Sequence, residues 1–255
     1  VATRNGPQRV ELVVEVFPDG DRLLTVGHEA WATVWSADAE LEPLCRLRHP
    51  DGYTVAVAKV FASGALVVTG SFLDRRLVVW DASLCRRWHV IRLKDAPMDI
   101  ATFAVGDVLV ATDYSMTTVW SASTGQLLRA MKSRGGSAFA LEAFPGSPDL
   151  VAAFHWRSFT IWNATTGLAL HRLGTSSVIR GKVVSPGGDL VVTCDGEQAV
   201  VWDVATGARV HTLRGRAGGG RDYLPARQRR AVRDDERLAA QGVAAAERRD
   251  DGLGG

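Results

Sequence analysis

The residue types that most often carry catalysis or bind metals are few in this sequence and lie far apart. Six of the 255 residues are histidines; they are His28, His49, His89, His155, His171 and His211. None belongs to an HExxH motif, and none has a carboxylate at a spacing typical of a catalytic motif. No G-x-S-x-G nucleophile elbow is present. We therefore predict no enzyme activity and expect the histidines to lie at the surface or between packed strands.

The three cysteines show no metal or redox motif. Cys45, Cys85 and Cys194 are odd in number, lie in different parts of the chain and form no CxxC or Cys/His ligand spacing. Buried reduced thiols are the favoured interpretation, ahead of a disulfide or metal ligation. We accordingly predict no metal and no cofactor.

The charge distribution argues against two classes of partner. The chain has a formal net charge of +2, and its residues 216–255 hold nine arginines and seven acidic residues, which leaves the rest neutral. A neutral surface does not recruit nucleic acid or anionic membrane through its field. The apolar runs are far shorter than the ~18 residues of a membrane span, and no leader sequence opens the chain. An intracellular protein is predicted, cytoplasmic with the nucleus as the alternative.

A tryptophan recurs at a regular interval. The five residues are Trp35, Trp80, Trp120, Trp162 and Trp202, which are spaced by 45, 40, 42 and 40 residues. Intervals of this size are typical of the blades of a β-propeller. Each tryptophan ends a short apolar segment, and a second apolar segment precedes it after a turn rich in Phe, Pro and Gly. Each repeat therefore predicts a strand pair, with one further strand before it and one after it.

The apolar segments also predict how the repeats pack. Residues 77–80 (LVVW) and 190–192 (LVV) are apolar on both faces, so we expect both faces to be covered. A sheet packed between two neighbouring sheets meets that condition, and the tryptophan would fill the wedge between them. The second strands are predicted at residues 23–26, 66–69, 108–111, 150–153 and 190–193. The third strands are predicted at residues 32–35, 77–80, 117–120, 159–162 and 199–202.

The predicted fold is all-β, with five four-stranded blades followed by a tail. The blades are placed approximately at residues 9–49, 50–94, 95–133, 134–174 and 175–215. Residues 216–255 are rich in Arg, Ala, Gly and Asp and carry no strand pattern. They are predicted to be disordered or weakly helical.

Over residues 9–215 the chain resembles the WD-repeat β-propeller family. Trp80-Asp81 and Trp202-Asp203 match the family's Trp-Asp pair, whereas the other three repeats keep only the tryptophan. Propellers of this family most often have seven blades, whereas this sequence contains five repeats. Either the five blades close on themselves or they belong to a longer propeller, and we favour the longer one.

The resemblance implies a structural hydrogen-bond chain. Members of the family often tie each blade with a His, a Ser or Thr, an Asp and the Trp. Only the second repeat offers all four, as His49, Thr69 or Ser71, Asp74 and Trp80.

The resemblance also implies a partner-binding rim at the turns between the second and third strands. Four of these five turns carry a large aromatic residue, at Trp31, Phe72, Tyr114 and Trp156. The charged residues in or beside the turns include Glu29, Arg75, Arg157 and Glu197. Aromatic anchors with charged neighbours are typical of protein-binding hot spots. The alternative is that each aromatic side chain folds back between two blades.

The predicted function is that of a non-enzymatic scaffold that assembles other proteins on this rim. One alternative is a sensor or autoinhibitory propeller of a larger NTPase-containing signalling protein, because the Thr-Gly turns resemble propellers found beside such modules. The chain itself has no phosphate-binding loop of the Walker type. The other alternative is a propeller enzyme, which would require polar residues that converge at a central channel.

Overall fold

The computed structural model describes residues 13–27, 30–103, 106–132 and 137–214. They belong to one compact unit, Val1–Gly215. The tail predicted at 216–255 and the start of the first predicted blade lie outside the described residues.

The described residues form five four-stranded antiparallel sheets, numbered 1 to 5 in chain order, whose strands are hydrogen-bonded in sequence order. Sheet 1 contains β1 (Val13–Val16), β2 (Arg22–Val26), β3 (Trp31–Ser36) and β4 (Pro43–Arg48). Sheet 2 contains β5 (Val57–Val60), β6 (Leu66–Ser71), β7 (Arg76–Asp81) and β8 (Arg86–Arg92). Sheet 3 contains β9 (Pro97–Thr102), β10 (Val108–Asp113), β11 (Thr117–Ser121) and β12 (Leu127–Met131). Sheet 4 contains β13 (Ala140–Ala143), β14 (Leu150–His155), β15 (Ser158–Asn163) and β16 (Leu168–Gly174). Sheet 5 contains β17 (Gly181–Val184), β18 (Leu190–Cys194), β19 (Gln198–Asp203) and β20 (Arg209–Arg214).

The predicted all-β class and the four strands of each repeat are confirmed. Within the described residues, helix is confined to one 3₁₀ turn at Pro50–Gly52. Several strands are longer than the apolar pattern predicts, since β6 and β14 each run two residues further. Backbone hydrogen bonding continues through these polar ends because it does not require apolar side chains.

The first hairpin of each sheet closes on an equivalent residue, which is Phe17, Phe61, Phe103, Phe144 or Ser185. In sheet 5 the turn is completed by Gly188, whose N–H donates to the Ser185 carbonyl at 2.9 Å. Gly188 has φ +74°, and a Cβ there would lie 2.2 Å from the carbonyl oxygen of Pro145. Glycine is therefore needed both for the turn and for the close approach of sheets 4 and 5.

A β-bulge lies beside each repeated tryptophan. The register between the third and fourth strands shifts immediately before Trp35, Trp80, Trp120, Trp162 and Trp202. In sheet 2, for example, Val79 pairs with His89 while Trp80 pairs with Arg87. Since a bulge increases local twist, every sheet twists at its repeated tryptophan.

A hydrophobic cluster fills each space between consecutive sheets. Each cluster combines the hairpin phenylalanine of one sheet with the repeated tryptophan of the next sheet. The pairs are Phe17 with Trp80, Phe61 with Trp120, Phe103 with Trp162, and Phe144 with Trp202. The four phenylalanines are at most 2% exposed. The last four tryptophans thus lie in the spaces between their own sheets and the preceding ones.

The strands of each sheet run from an inner to an outer position. The first strands β1, β5, β9 and β13 contact one another in turn. The fourth strands are mostly exposed, and all six residues of β20 are exposed. These repeated four-stranded sheets fit a β-propeller-like fold.

Candidate functional site

The turns between second and third strands lie at one edge of the sheets, which we call the rim. It comprises residue 30, 72–75, 114–116, 156–157 and 195–197. The segments that lead to the next sheet pass along this edge, because Leu93 N–H donates to the Arg75 carbonyl at 2.8 Å and Thr175 N–H to the Arg157 carbonyl at 2.9 Å. Consecutive sheets pack face to face, so their equivalent turns follow one another along this edge.

Three of the four predicted aromatic residues present their side chains to solvent on the rim. Phe72 is 45% exposed, Tyr114 57% and Trp156 68%. Leu73, which follows Phe72, is 70% exposed. The alternative in which the aromatic rings fold back between sheets does not describe these three residues.

Trp31 differs from the other three. It was expected in a turn, but it is the first residue of β3 and pairs with Arg48. Its ring is only partly exposed, and the guanidinium of Arg46 lies 5.5 Å from the ring centroid. The turn before it is therefore shorter than predicted, and Trp31 packs on its own sheet.

The backbone beneath two of the exposed rings is held in place. The hydroxyl of Ser137 donates to the carbonyl of Tyr114, and Ile179 N–H donates to the carbonyl of Trp156 at 2.7 Å. The Trp156 ring also lies 5.7 Å from the ring of Phe139, in a tilted arrangement. Aromatic groups on a fixed backbone lose little conformational entropy on binding.

The charged residues predicted beside the rim have different surroundings. Arg157 donates from Nη2 to the Ser176 carbonyl at 2.6 Å, and Arg75 donates from Nη1 to the Lys94 carbonyl at 3.4 Å. Both guanidinium groups thus lie along the segments that lead to the next sheet. Glu197 is exposed in the turn of sheet 5, far along the chain from the arginines. Glu29 lies outside the described residues.

The four residue types of the expected hydrogen-bond chain form two separate pairs in sheet 2. Trp80 Nε1–H donates to the Thr69 hydroxyl at 2.9 Å. His49 Nδ1 lies 3.3 Å from a carboxylate oxygen of Asp74. Within the described residues, His49 Nε2 has no hydrogen-bond partner, so nothing links the two pairs. Ser71, the alternative to Thr69, instead accepts a hydrogen bond from Leu73 N–H at 3.2 Å.

The buried position of His49 has an electrostatic consequence. The residue is 1% exposed. Burial lowers the pKa of His49, and the nearby Asp74 carboxylate opposes that shift only in part. The imidazole is therefore neutral at pH 7, and its contact with Asp74 is not a charged ion pair.

Sequence reasoning missed a cluster of five ionisable residues on the inner strands. Each first strand contributes one, and they are Glu15, Lys59, Asp99, Glu142 and Lys182. Lys59 Nζ lies 2.5 Å from Glu15 Oε1, and Lys182 pairs in the same way with Glu142. Asp99 accepts hydrogen bonds from the N–H groups of Ile100 and Leu141 at 2.8 Å. We call this group the inner-strand cluster. One charged residue per first strand is the signal that could have identified it.

The electrostatics of the inner-strand cluster differ from residue to residue. Burial raises the pKa of Asp99, against the opposing effect of its hydrogen bonds and of the two lysines. Burial acts to lower the pKa of Lys59, but its hydrogen bond to Glu15 and the charges of Glu15, Asp99 and Glu142 together outweigh burial, so the pKa is raised. Lys59 is therefore firmly protonated at pH 7. Burial therefore favours the protonated form of Asp99 over a wider pH range than for a free aspartate.

The expectation of reduced thiols is wrong for two of the three cysteines. Cys45, on the outer strand β4, and Cys85, in the turn before β8, form a disulfide between sheets 1 and 2, while Cys194 is free. The two residues are 40 positions apart, one repeat length. Because consecutive sheets stack, this separation places an outer strand of one sheet against a turn of the next.

The disulfide occupies a contact that recurs between the sheets. Residues equivalent to Cys45 in the strand pairing are His89, Arg129, His171 and His211. The first three of these lie against the next sheet's turn or its glycine, and His171 Nε2 is 3.0 Å from the Ala205 carbonyl oxygen in that turn. Cys85 stands where the later turns have Gly125, Gly167 and Gly207, and it shares their positive φ, at +53°.

The described residues contain neither a metal-binding group nor a membrane-spanning helix. No group of three or more His, Cys, Asp and Glu side chains there is arranged to hold a metal ion. None of the helical structure in these residues has the length and apolar character needed to cross a membrane. Comparison of the sequence with protein-family models and with curated proteins finds no match.

Proposed function

We propose that the chain is a β-propeller of the WD-repeat type and that its rim binds partner proteins without catalysing a reaction. The observation that carries the proposal is the exposure of Phe72, Tyr114 and Trp156 on the same edge of three consecutive sheets. Exposed aromatic residues grouped in this way are what protein interfaces use as anchors. The repeated tryptophans and the Trp-Asp pairs support the WD-repeat assignment.

The size of the aromatic patch suits a protein partner. A buried aromatic side chain contributes about 150 to 250 Å². Because Phe72, Tyr114 and Trp156 are 45%, 57% and 68% exposed, they have roughly 250 to 430 Å² left to bury, about a third to a half of the ~800 Å² that one partner buries in a standard interface. Leu73 and the aliphatic part of Arg157 would extend the patch, and arginine is enriched at interface cores.

The charge of the rim supports a protein rather than a nucleic acid. Arg75 and Arg157 already donate to backbone carbonyls, and Asp195 and Glu197 lie on the same edge. Nucleic-acid binding draws most of its affinity from several basic groups facing phosphates. A mixed set of charges around aromatic rings favours a polypeptide with both apolar and charged side chains.

A double substitution, Tyr114→Ala with Trp156→Ala, tests the proposal. Both rings are more than half exposed, so the fold should be retained, with a stability loss of about 1 to 2 kcal/mol that includes the Trp156–Phe139 contact. The matched control is Trp88→Ala, since Trp88 is 49% exposed but lies on the outer strand β8.

Partners would be captured with the wild-type chain and both variants and quantified by mass spectrometry. Proteins held equally by wild type and Trp88→Ala should fall at least ~10-fold with the rim variant, since loss of one hot-spot residue costs about 2 kcal/mol or more. Equal recovery from the folded rim variant would show that the rim is not the binding surface.

One observation favours a second candidate function. The inner-strand cluster gathers polar residues on the innermost strands, which is the feature that a propeller enzyme requires. Asp99 has the raised pKa that suits general acid–base chemistry, but the two Lys–Glu pairs largely satisfy each other. A hydrolase screen that compares wild type with Asp99→Asn decides the matter, because only an activity lost in the variant would support this candidate.

A further inference from the structure

The outward face of sheet 1 carries the same kind of residues that are buried inside the stack. Val14 and Val16 are 53% and 61% exposed, whereas their equivalents in sheet 2, Ala58 and Val60, are 4% and 8% exposed. The equivalence follows from the strand pairing, since Val16 pairs with Leu23 as Val60 pairs with Val67. Trp35 is also only partly buried, whereas Trp80 is 5% exposed. The face of sheet 1 whose counterpart in sheet 2 packs on the preceding sheet is thus open to solvent.

The opposite face of sheet 5 shows the same contrast. Leu213 is 53% exposed, but the residues at its position in sheets 1, 2, 3 and 4 are almost fully buried. They are Leu47 at 0%, Ile91 at 1%, Met131 at 1% and Leu173 at 8%. Val192 and Val201, on the same face as Leu213, are partly exposed. Their equivalents in sheet 1, Leu24 and Val34, are at most 1% exposed.

These two open faces are the two halves of one repeating interface. In each of the four internal interfaces, the face with the hairpin residue of one sheet packs on the face with the tryptophan of the next sheet. Sheet 5 offers the first kind of face and sheet 1 offers the second. The faces are therefore complementary to each other, and neither is complementary to itself.

The outer strand of sheet 5 also has an open contact position. His171 on β16 reaches the turn of the next sheet, at Gly207 and the Ala205 carbonyl. Its equivalent in sheet 5, His211, is exposed. The corresponding turn in sheet 1 contains Leu41, which has the positive φ of that position, +49°, and is 52% exposed. A Cβ at Gly207 would lie 2.6 Å from His171 Nδ1, so the His211 side chain would have to turn aside from Leu41 in the equivalent contact between sheets 5 and 1.

We propose that the open face of sheet 5 in one molecule binds the open face of sheet 1 in a second copy of this chain. Such an interface is heterologous, so it joins copies head to tail. Four strands at ~4.8 Å by six residues at ~3.3 Å give a face of roughly 380 Å². That area is small for a stable dimer, and Ser185 replaces the hairpin phenylalanine on the sheet 5 face. The association should therefore be weak, with a Kd in the range of tens of micromolar or above.

Sedimentation velocity of the full chain over a wide concentration range tests the proposal. The wild type should show a weight-average mass that rises with concentration. Val16→Glu should abolish the rise by damaging the sheet 1 face, and Leu213→Glu should do so through the sheet 5 face. The decisive sample is an equal mixture of the two variants. Each keeps one intact face, so the mixture should form dimers and nothing larger.

The controls separate this interface from other kinds of association. Leu127→Glu, at a residue 51% exposed on the outer strand β12, should associate like the wild type. If Val16→Glu fails to fold, Val14→Glu replaces it at a neighbouring position of the same face. A wild type that stays monomeric at every concentration would overturn the proposal. So would association that survives in either single variant, or a mixture that contains only monomers. These outcomes do not depend on whether the rim binds a partner.

Discussion

Replacement of Thr69 by valine should destabilise the protein through a single hydrogen bond. The Thr69 hydroxyl accepts from Trp80 Nε1–H at 2.9 Å, and the two residues are 0% and 5% exposed. Valine has nearly the same shape but offers no acceptor, so the indole N–H would remain buried without a partner. That loss costs about 1 to 3 kcal/mol. With ~2 kcal/mol as the central value, a unit of this size should lose roughly 4 to 8 °C in Tm.

The repeats supply two matched comparisons for this substitution. In sheet 1 the same bond joins Trp35 to Thr25 at 2.7 Å, but both residues are partly exposed. Water can replace the hydroxyl there, so Thr25→Val should cost about 0.5 to 1 kcal/mol. In sheet 4 the equivalent residue is Ala153, and the buried Trp162 Nε1 has no hydrogen-bond partner among the residues that the structure describes. Ala153→Ser should therefore raise stability by about 1 kcal/mol.

Thermal and urea unfolding of the three variants, followed by far-UV circular dichroism, measures these differences. The m values should match the wild type if only stability has changed. Losses that are equal for Thr69→Val and Thr25→Val would refute the reasoning, because the predicted difference depends entirely on the burial of the indole N–H. A destabilised Ala153→Ser would show that the space beside Trp162 cannot accept a hydroxyl.

Two further predictions concern the disulfide and the inner-strand cluster. Loss of the Cys45–Cys85 bond, whose ends are 40 residues apart, should cost about 4 kcal/mol in the loop-closure model. Cys85→Gly should lose ~1 kcal/mol less free energy of unfolding than Cys45→Ser, because glycine relieves the positive φ at residue 85. Calorimetry with and without reductant measures both losses. Equal losses in the two variants would contradict this reasoning. The raised pKa of Asp99 means that the folded state disfavours the ionised carboxylate. The resulting loss of stability is absent below the ordinary pKa of 3.8 and grows as pH rises through the pKa of the folded state. The Tm of Asp99→Asn minus that of the wild type should therefore become more positive between acid and neutral pH, and a difference that is constant or falls would show that the carboxylate is not penalised by burial.

Local patterns in the sequence were enough to predict the strands, the five repeats and the position of each tryptophan. Apolar segments and turn residues act over a few positions within one repeat, and the interval between tryptophans can be read directly along the chain. The strand ends were less predictable. At Ser71 and His155, backbone pairing continues where the apolar pattern stops.

The tertiary structure alone decided which residues of different repeats meet. Cys45 and Cys85 bond because β4 of one sheet lies over a turn of the next, although no local spacing marks them as a pair. Glu15 and Lys59 likewise pair through the inner position of their strands. The exposure of Val16 depends on which face of sheet 1 has a neighbour, whereas the equivalent Val60 is buried. A strand's own sequence specifies that its faces are apolar, but only the packing of whole sheets determines which of those faces is covered, since burial is a property of neighbours distant in the chain.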